Sequence, residues 1–154
     1  YTGYFFTVDG DDNPYVNINI TSGGAGDVQA KVFTQYSSVD LLKDIDITML
    51  YDSFTITVLL TLEAIGFCNF GEGKDFVRNQ RTAPGGDFAL NTNGGGLSYC
   101  HPGMYGIFTI IEAARQLWGV CGKRQLEKPV NALCHGTGGV LSSSTTLILS
   151  NESN

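Results

Sequence analysis

Apolar and polar side chains alternate along Tyr15-Val16-Asn17-Ile18-Asn19-Ile20, the period of two expected of a strand with one buried face. Beyond Ser22-Gly23-Gly24 the pattern lengthens: Ala25, Val28, Val32, Phe33, Tyr36 and Val39 predict a helix from Ala25 to Val39. Ile45 to Tyr51 begins with period two and ends apolar, which predicts a second strand, and Asp52-Ser53 offers an N-cap for a helix from Phe54 to about Ile65. That segment is rich in Thr and Val, which are poor helix formers, but it is too long for one strand and Gly66 is a good stop. Residues 71–96, containing Ala83-Pro84-Gly85-Gly86, read as a loop with a short strand around Phe88-Ala89-Leu90, and loops of that length are often functional. Ile107, Ile110, Ile111, Ala114, Leu117 and Trp118 carry the clearest helical spacing in the chain, closed by Gly119. A basic connector from Lys123 to Lys128 leads to a strand over Val130–Cys134, a Gly136-Thr137-Gly138-Gly139 turn and a last strand from Val140 to Leu149. The predicted order, β-α-β-α-loop-α-β-β, implies an α/β fold with a mixed sheet, helices packed on it and functional loops at strand ends.

Composition narrows the picture. A chain of 154 residues, 42% hydrophobic and 16% charged, suits one globular domain with a sizeable core. A net charge of -6, with nine Lys and Arg scattered along the chain, argues against a nucleic-acid or anionic-membrane partner. The longest apolar run, Phe54 to Phe67, is broken by Thr55, Thr57, Thr61 and Glu63 and is too short and polar to span a bilayer. With no secretory signal at its start, the chain is expected to be soluble and cytoplasmic. Cys68, Cys100, Cys121 and Cys134 include no CxxC pair, so reduced thiols are expected rather than a zinc site or a disulfide framework. Asp9-Gly10-Asp11-Asp12-Asn13-Pro14 is acidic and turn-rich, but it lacks the glutamate and spacing of an EF-hand and reads as a solvated turn. The sequons at Asn19 and Asn151 matter only in a secreted protein.

Candidate chemistry falls at three handovers between elements: Tyr51-Asp52-Ser53-Phe54, the stretch NTNGGGLSYCHPGMYG at 91–106, and Cys134-His135-Gly136. A histidine at a helix N-terminus meets the positive end of the macrodipole and stays neutral, available as acceptor or base, so His101 is a candidate. The preceding glycines would let backbone amides approach a ligand closely. On residue chemistry alone, either histidine is equally a loop residue bonded to backbone, Cys100 and Cys134 are nucleophile candidates or inert buried thiols, and Tyr51 is a packing residue or an acid–base group. Neither Cys-His pair has the spacing of a zinc motif.

Together the three motifs resemble the C-terminal half of the thiolase superfamily, closest to its sterol-carrier-protein-like and steroid side-chain retro-aldolase branch. The resemblance covers about Asp44 to Leu149: YDSF stands at the family's Asn-Glu-Ala-Phe or His-Asp-Cys-Phe loop, CHPGMYG at its Gly-His-Pro loop, and CHGTGG at its Cys-x-Gly turn. Residues 1–25 match the family poorly; 26–149 are expected to form the thiolase-like domain and 150–154 a frayed tail. The resemblance implies catalytic roles for Tyr51, His101, Tyr105 and His135, and contacts to substrate from Asp52, Gly95, Cys100, Cys134, Gly138 and Gly139. The implied activity makes or breaks a carbon–carbon bond in an acyl-CoA thioester, with retro-aldol cleavage of a β-hydroxyacyl-CoA first, thiolase-type acyl transfer second and a non-catalytic lipid- or partner-binding scaffold third. In the aldolase branch two tyrosines serve without a nucleophilic cysteine, one taking the proton of a β-hydroxyl and the other managing the enolate, which requires one phenol's pKa to be lowered. Coenzyme A enters as part of the substrate, with no permanent cofactor and no metal. The implied partners are an N-terminal thiolase half or homologous chain and a small OB-fold and zinc-ribbon protein. The departures from the family are Cys100 in place of glycine before His101, Tyr51 in place of the loop asparagine or histidine, His135 beside or in place of the proton-moving cysteine, and no nucleophile-bearing half.

Overall fold

The computed structural model describes residues 5–8, 14–22, 26–33, 40–100, 103–139 and 141–151. Three strands come first, β1 (Phe5–Val8), β2 (Pro14–Ser22) and β3 (Gly26–Phe33), followed by the short helix α1 (Leu41–Asp44) and strand β4 (Ile47–Leu50). Helices α2 (Thr55–Ile65), α3 (Gly73–Phe76), α4 (Gly96–Tyr99) and α5 (Gly106–Leu117) then lead to β5 (Asn131–Gly138) and β6 (Ser143–Ser150). The strands form one mixed sheet in the order β1-β2-β3-β6-β5-β4, with β4 and β5 parallel and the other neighbours antiparallel. A parallel pair needs a long crossover, and α2 to α5 supply it.

The predicted strand at Tyr15–Ile20 lies within β2, and β4, α2 and α5 stand close to their expected positions, while the short helices α1, α3 and α4 are not among the predicted elements and α3 falls inside the predicted loop. The segment from Ala25 does not: residues 26–33 are strand β3, hydrogen-bonded between β2 and β6, where a helix is predicted. Its apolar residues at 28, 30 and 32 satisfy a period of two as well as the helical one, and two neighbouring strands settle the choice. The turn expected at Gly136–Gly139 is also displaced, because β5 runs on through Gly138 in register with Ser143. Ser150, expected in a frayed tail, pairs with Gln29 and Asn131, and the side chain of Asn151 donates to the Pro129 carbonyl at 3.1 Å. The predicted strand at Phe88–Leu90 is reduced to one parallel bridge, Leu90 to Thr48. The acidic turn at residues 9–13 lies outside the described residues.

The parallel pair is buried on both faces, as strands covered by helices on either side must be. On one face Ile47, Met49, Ala132, Cys134 and Leu149 pack against Ala113 and Leu117 of α5. On the other, Leu50 and Leu133 meet Leu62 of α2 together with Phe67, Phe76 and Phe88. Each fully buried side chain of this kind contributes about 1.5–3 kcal/mol. The Asp46 carboxylate accepts the Val130 and Asn131 amides at 2.8 and 2.9 Å, which aligns the start of β5 with β4. On the open side of β4, Thr48 N–H donates to Ala89 O and Asn91 N–H donates to Thr48 O, so the strand edge is capped by the loop that precedes the glycine run. Among the described residues no helix is long and apolar enough to cross a membrane.

Candidate active site

Strand β4 delivers Tyr51 to the C-terminal edge of the parallel pair, where the Tyr51 amide donates to the carbonyl of His135 at 2.9 Å. The Tyr51 ring meets Tyr105 edge-on, with centroids 5.5 Å apart and planes at 88°. Tyr105 is fully buried; Phe108 stacks on it, Tyr99 packs against it, and its hydroxyl donates to Asn93 Oδ1 at 3.1 Å. Asn93 Nδ2 in turn donates to the Tyr99 hydroxyl at 2.8 Å, and Asn93 Oδ1 also takes the Gly95 amide at 3.0 Å. Burial pushes the Tyr105 phenol well above its ordinary value. It therefore holds its proton, and of the two phenols it is not the one placed to act as the base.

Beneath the glycine run lies Asp52. Its carboxylate accepts the Gly96 amide at 2.7 Å and the Leu97 amide at 3.2 Å. Asp52 therefore caps α4 rather than α2, whose N-cap position is Phe54 and carries no side-chain cap hydrogen bond. Gly95 has φ +75°, and a Cβ there would collide with the Asp52 carboxylate; one on Gly96 would crowd both Asp52 and the Tyr105 ring. The glycines are needed so that the loop can pass over a buried carboxylate, and two of the amides expected to face a ligand face Asp52 instead.

His135 is buried, with Nδ1 2.8 Å from the Thr146 hydroxyl, and burial pulls its pKa down so that the ring is neutral. Cys134 points into the core, where its thiol donates to the Thr109 carbonyl at 3.6 Å and burial pushes its pKa up to about 12. Cys100 is half-buried at the end of α4. His101 lies outside the described residues. Among the described residues no group of three or more His, Cys, Asp or Glu could hold a metal ion.

A cavity of about 870 Å³ opens beside Tyr51. Tyr51, Gly138 and Gly139 line it, together with Phe54, Ile56 and Leu60 from the start of α2 and with Met104, Ile107 and Leu141. Tyr105 and His135 stand behind this wall: the first supports the Tyr51 ring and the second holds its backbone. The sequence reading missed Asn91 and Asn93. Their signal was two amides directly before a glycine run, where short polar side chains bond to nearby backbone. It also missed Glu112, a carboxylate on the buried face of α5. Both carboxylate oxygens are 2.9 Å from the Arg124 guanidinium, and Thr92 Oγ1 donates to Oε1 at 2.9 Å. Burial works to raise Glu112, but hydrogen bonds from Arg124, Thr92 and Gln116 and the charge of Arg124 outweigh it and leave the carboxyl below its ordinary value.

Comparison with known proteins adds the family context. The chain is 34% identical over 134 residues to a non-specific lipid-transfer protein-like protein of Caenorhabditis elegans, an alignment covering 84% of this chain and 32% of that one. It is 45% identical over 76 residues to a 17-hydroxy-3-oxo-4-pregnene-20-carboxyl-CoA lyase of Mycobacterium tuberculosis, covering 49% of this chain and 19% of the lyase. The solved Ltp2-ChsH2(DUF35) aldolase superposes with a TM-score of 0.59 at 38% identity, over 70% of this chain and 27% of that one. The chain thus spans about a third or less of the length of these relatives. The sequence family described as thiolase C-terminal domain-like matches residues 34–151, most of the chain including every candidate site residue, and the chain belongs to that family.

Proposed function

We propose that this chain supplies the C-terminal catalytic wall of a thiolase-superfamily protein that cleaves a β-hydroxyacyl-CoA by a retro-aldol reaction. The observation that carries this reading is the pair Tyr51 and Tyr105 in edge contact, with Tyr51 facing an apolar cavity that has no cysteine among its described lining residues. In the proposed step Tyr51 takes the proton of the β-hydroxyl, the bond between the α- and β-carbons breaks, and its electron pair moves into the thioester as an enolate. A ketone or aldehyde leaves from the β-carbon, and protonation of the α-carbon gives the shortened acyl-CoA. Donors aimed at the enolate oxygen supply the largest stabilisation in such reactions. By family resemblance His101 is one of them. Tyr105, buried and protonated, braces Tyr51 from behind, and Gly138 and Gly139 line the space the substrate would enter.

The names of the relatives support the reading, because one is a lyase of a hydroxylated acyl-CoA and another an aldolase. Cys134, sequestered in the core with its pKa pushed up to about 12, is unsuited to the nucleophile of an acyl transfer. The test is turnover of a β-hydroxyacyl-CoA by the intact protein with its companion subunit, following both the carbonyl product and the shortened acyl-CoA. Loss of cleavage in Tyr51→Phe supports the proposal. Full cleavage in that variant, or acyl transfer abolished by iodoacetamide with no aldol cleavage, overturns it.

A further inference from the structure

The carboxylate of Glu112 is buried behind the candidate site and lines no part of the cavity, yet it is the hub of a polar cluster that reaches the surface at Arg124. It accepts from Thr92 Oγ1 at 2.9 Å, Gln116 Nε2 at 3.2 Å, and Arg124 through Nε and Nη2 at 2.9 Å each, with the Cys121 thiol at 3.7 Å. Arg124 and Gln116 are tied in turn to the connector after α5, since Gln116 Nε2 also donates to the Arg124 carbonyl at 2.9 Å. Thr92 is the one member of the cluster drawn from the glycine-rich loop, and its two neighbours face the site. Asn91 Oδ1 accepts the Leu50 amide at 2.8 Å, immediately before Tyr51, and Asn93 Oδ1 accepts the Tyr105 hydroxyl at 3.1 Å.

We infer that Glu112 is a positioning residue: its bond to Thr92 fixes the 91–95 loop so that Asn91 and Asn93 hold the two tyrosines in register. A carboxylate clamped by a bidentate guanidinium is a rigid acceptor, and a loop tied at its centre cannot shift one asparagine without the other. The inference deepens the proposed function and rests on it only for its kinetic consequence.

Thr92→Val removes the hydroxyl at almost constant volume, and Thr92→Ser restores it. In the intact protein, amide hydrogen exchange across residues 93–97 is expected to quicken in Thr92→Val and in Glu112→Gln and to return to the wild-type rate in Thr92→Ser. Where the wild type cleaves a β-hydroxyacyl-CoA, kcat should fall about 10- to 100-fold in Thr92→Val with KM nearly unchanged, because a small misplacement of reacting groups costs that much. A variant that was merely less stable would keep its kcat well below its melting temperature. Unchanged exchange in Thr92→Val, or a full kcat in it, overturns the inference. If the wild type cleaves no such thioester, the proposed function fails on its own and the exchange rates alone decide the role of Glu112.

Discussion

Asp52 and Gly96 meet through a 2.7 Å hydrogen bond from the Gly96 amide to Asp52 Oδ1, linking loops 44 residues apart in sequence. The contact ties the end of β4 to the start of α4 and explains the glycines above it. Asp52→Ala leaves two backbone donors without their acceptor and should cost about 1–3 kcal/mol. Gly95→Ala introduces both a strained φ and a collision with the same carboxylate. Urea unfolding midpoints should fall for both. Because the two changes share one contact, the double variant should lose less than the sum of the singles.

Tyr51 and Tyr105 should separate in mutagenesis although they touch. Tyr105→Phe keeps the aromatic cluster and removes one hydrogen bond to Asn93, an expected loss of about 0.5–1.5 kcal/mol in stability. Tyr51→Phe removes the hydroxyl of the one ring of the pair that lines the cavity, and on the proposed retro-aldol reading should lower cleavage by about 100-fold or more, as loss of a general base does. Steady-state kinetics and thermal unfolding on the same pair of variants check both halves of this expectation.

Glu112 predicts a stability that depends on acid. Its carboxyl titrates lower in the folded chain than in the unfolded one, so the stability it contributes is complete above the unfolded value, about 4.5, and is lost as pH falls through the lower folded value. The groups facing it are Arg124, Thr92, Gln116 and Cys121. Glu112→Gln should be less stable than the wild type at pH 7, by about 1–3 kcal/mol and toward the low end because Arg124 is 42% exposed. The gap between the two should narrow as the pH falls below the unfolded carboxyl's value. Urea midpoints measured across that range give the answer; a gap that widened in acid would contradict the sign.

The thiols should differ in reactivity. Burial raises the pKa values of Cys68, Cys121 and Cys134, but Cys121 and Cys134 are also closed to solvent, whereas Cys68 and Cys100 are only half-buried. Iodoacetamide at pH 8 followed by peptide mass mapping should leave Cys121 and Cys134 unmodified until the chain is unfolded.

The apolar rim of the cavity predicts association. Ile56 and Leu60 on α2, Met104, Ile107 on α5 and Leu141 are all about half exposed or more, an apolar surface that water penalises and a companion domain would cover. The isolated chain should bind an apolar dye and self-associate in sedimentation, and Leu60→Glu with Ile107→Glu should reduce both. A monodisperse monomer without dye binding would count against association through this rim.

The local pattern made several elements legible. Helix α5 announces itself through period-3.6 spacing, β4 and β5 through short apolar runs, and the stop of α2 through Gly66, which adopts φ +101°. Even in α5 the buried face is turned from the expected stripe: Ile107 and Ile111 face outward while Glu112 and Gln116 are buried, because Arg124 and Thr92 arrive to satisfy them. Periodicity reports which side chains avoid water on average, not which polar group will find a partner.

What the sequence determined by itself was the α/β alternation from β4 onward and the order of the three motifs that carry Tyr51, the glycine run and His135, since these follow from spacing, turn residues and motif order. Tertiary structure decided the rest. Strand β3 exists because β2 and β6 bond to it on either side; Asp52 reaches across to α4; Tyr105 retreats behind Tyr51; Cys134 turns into the core. Each of these depends on a partner distant in the chain, and a local pattern carries no information about the energy of a contact that has yet to form.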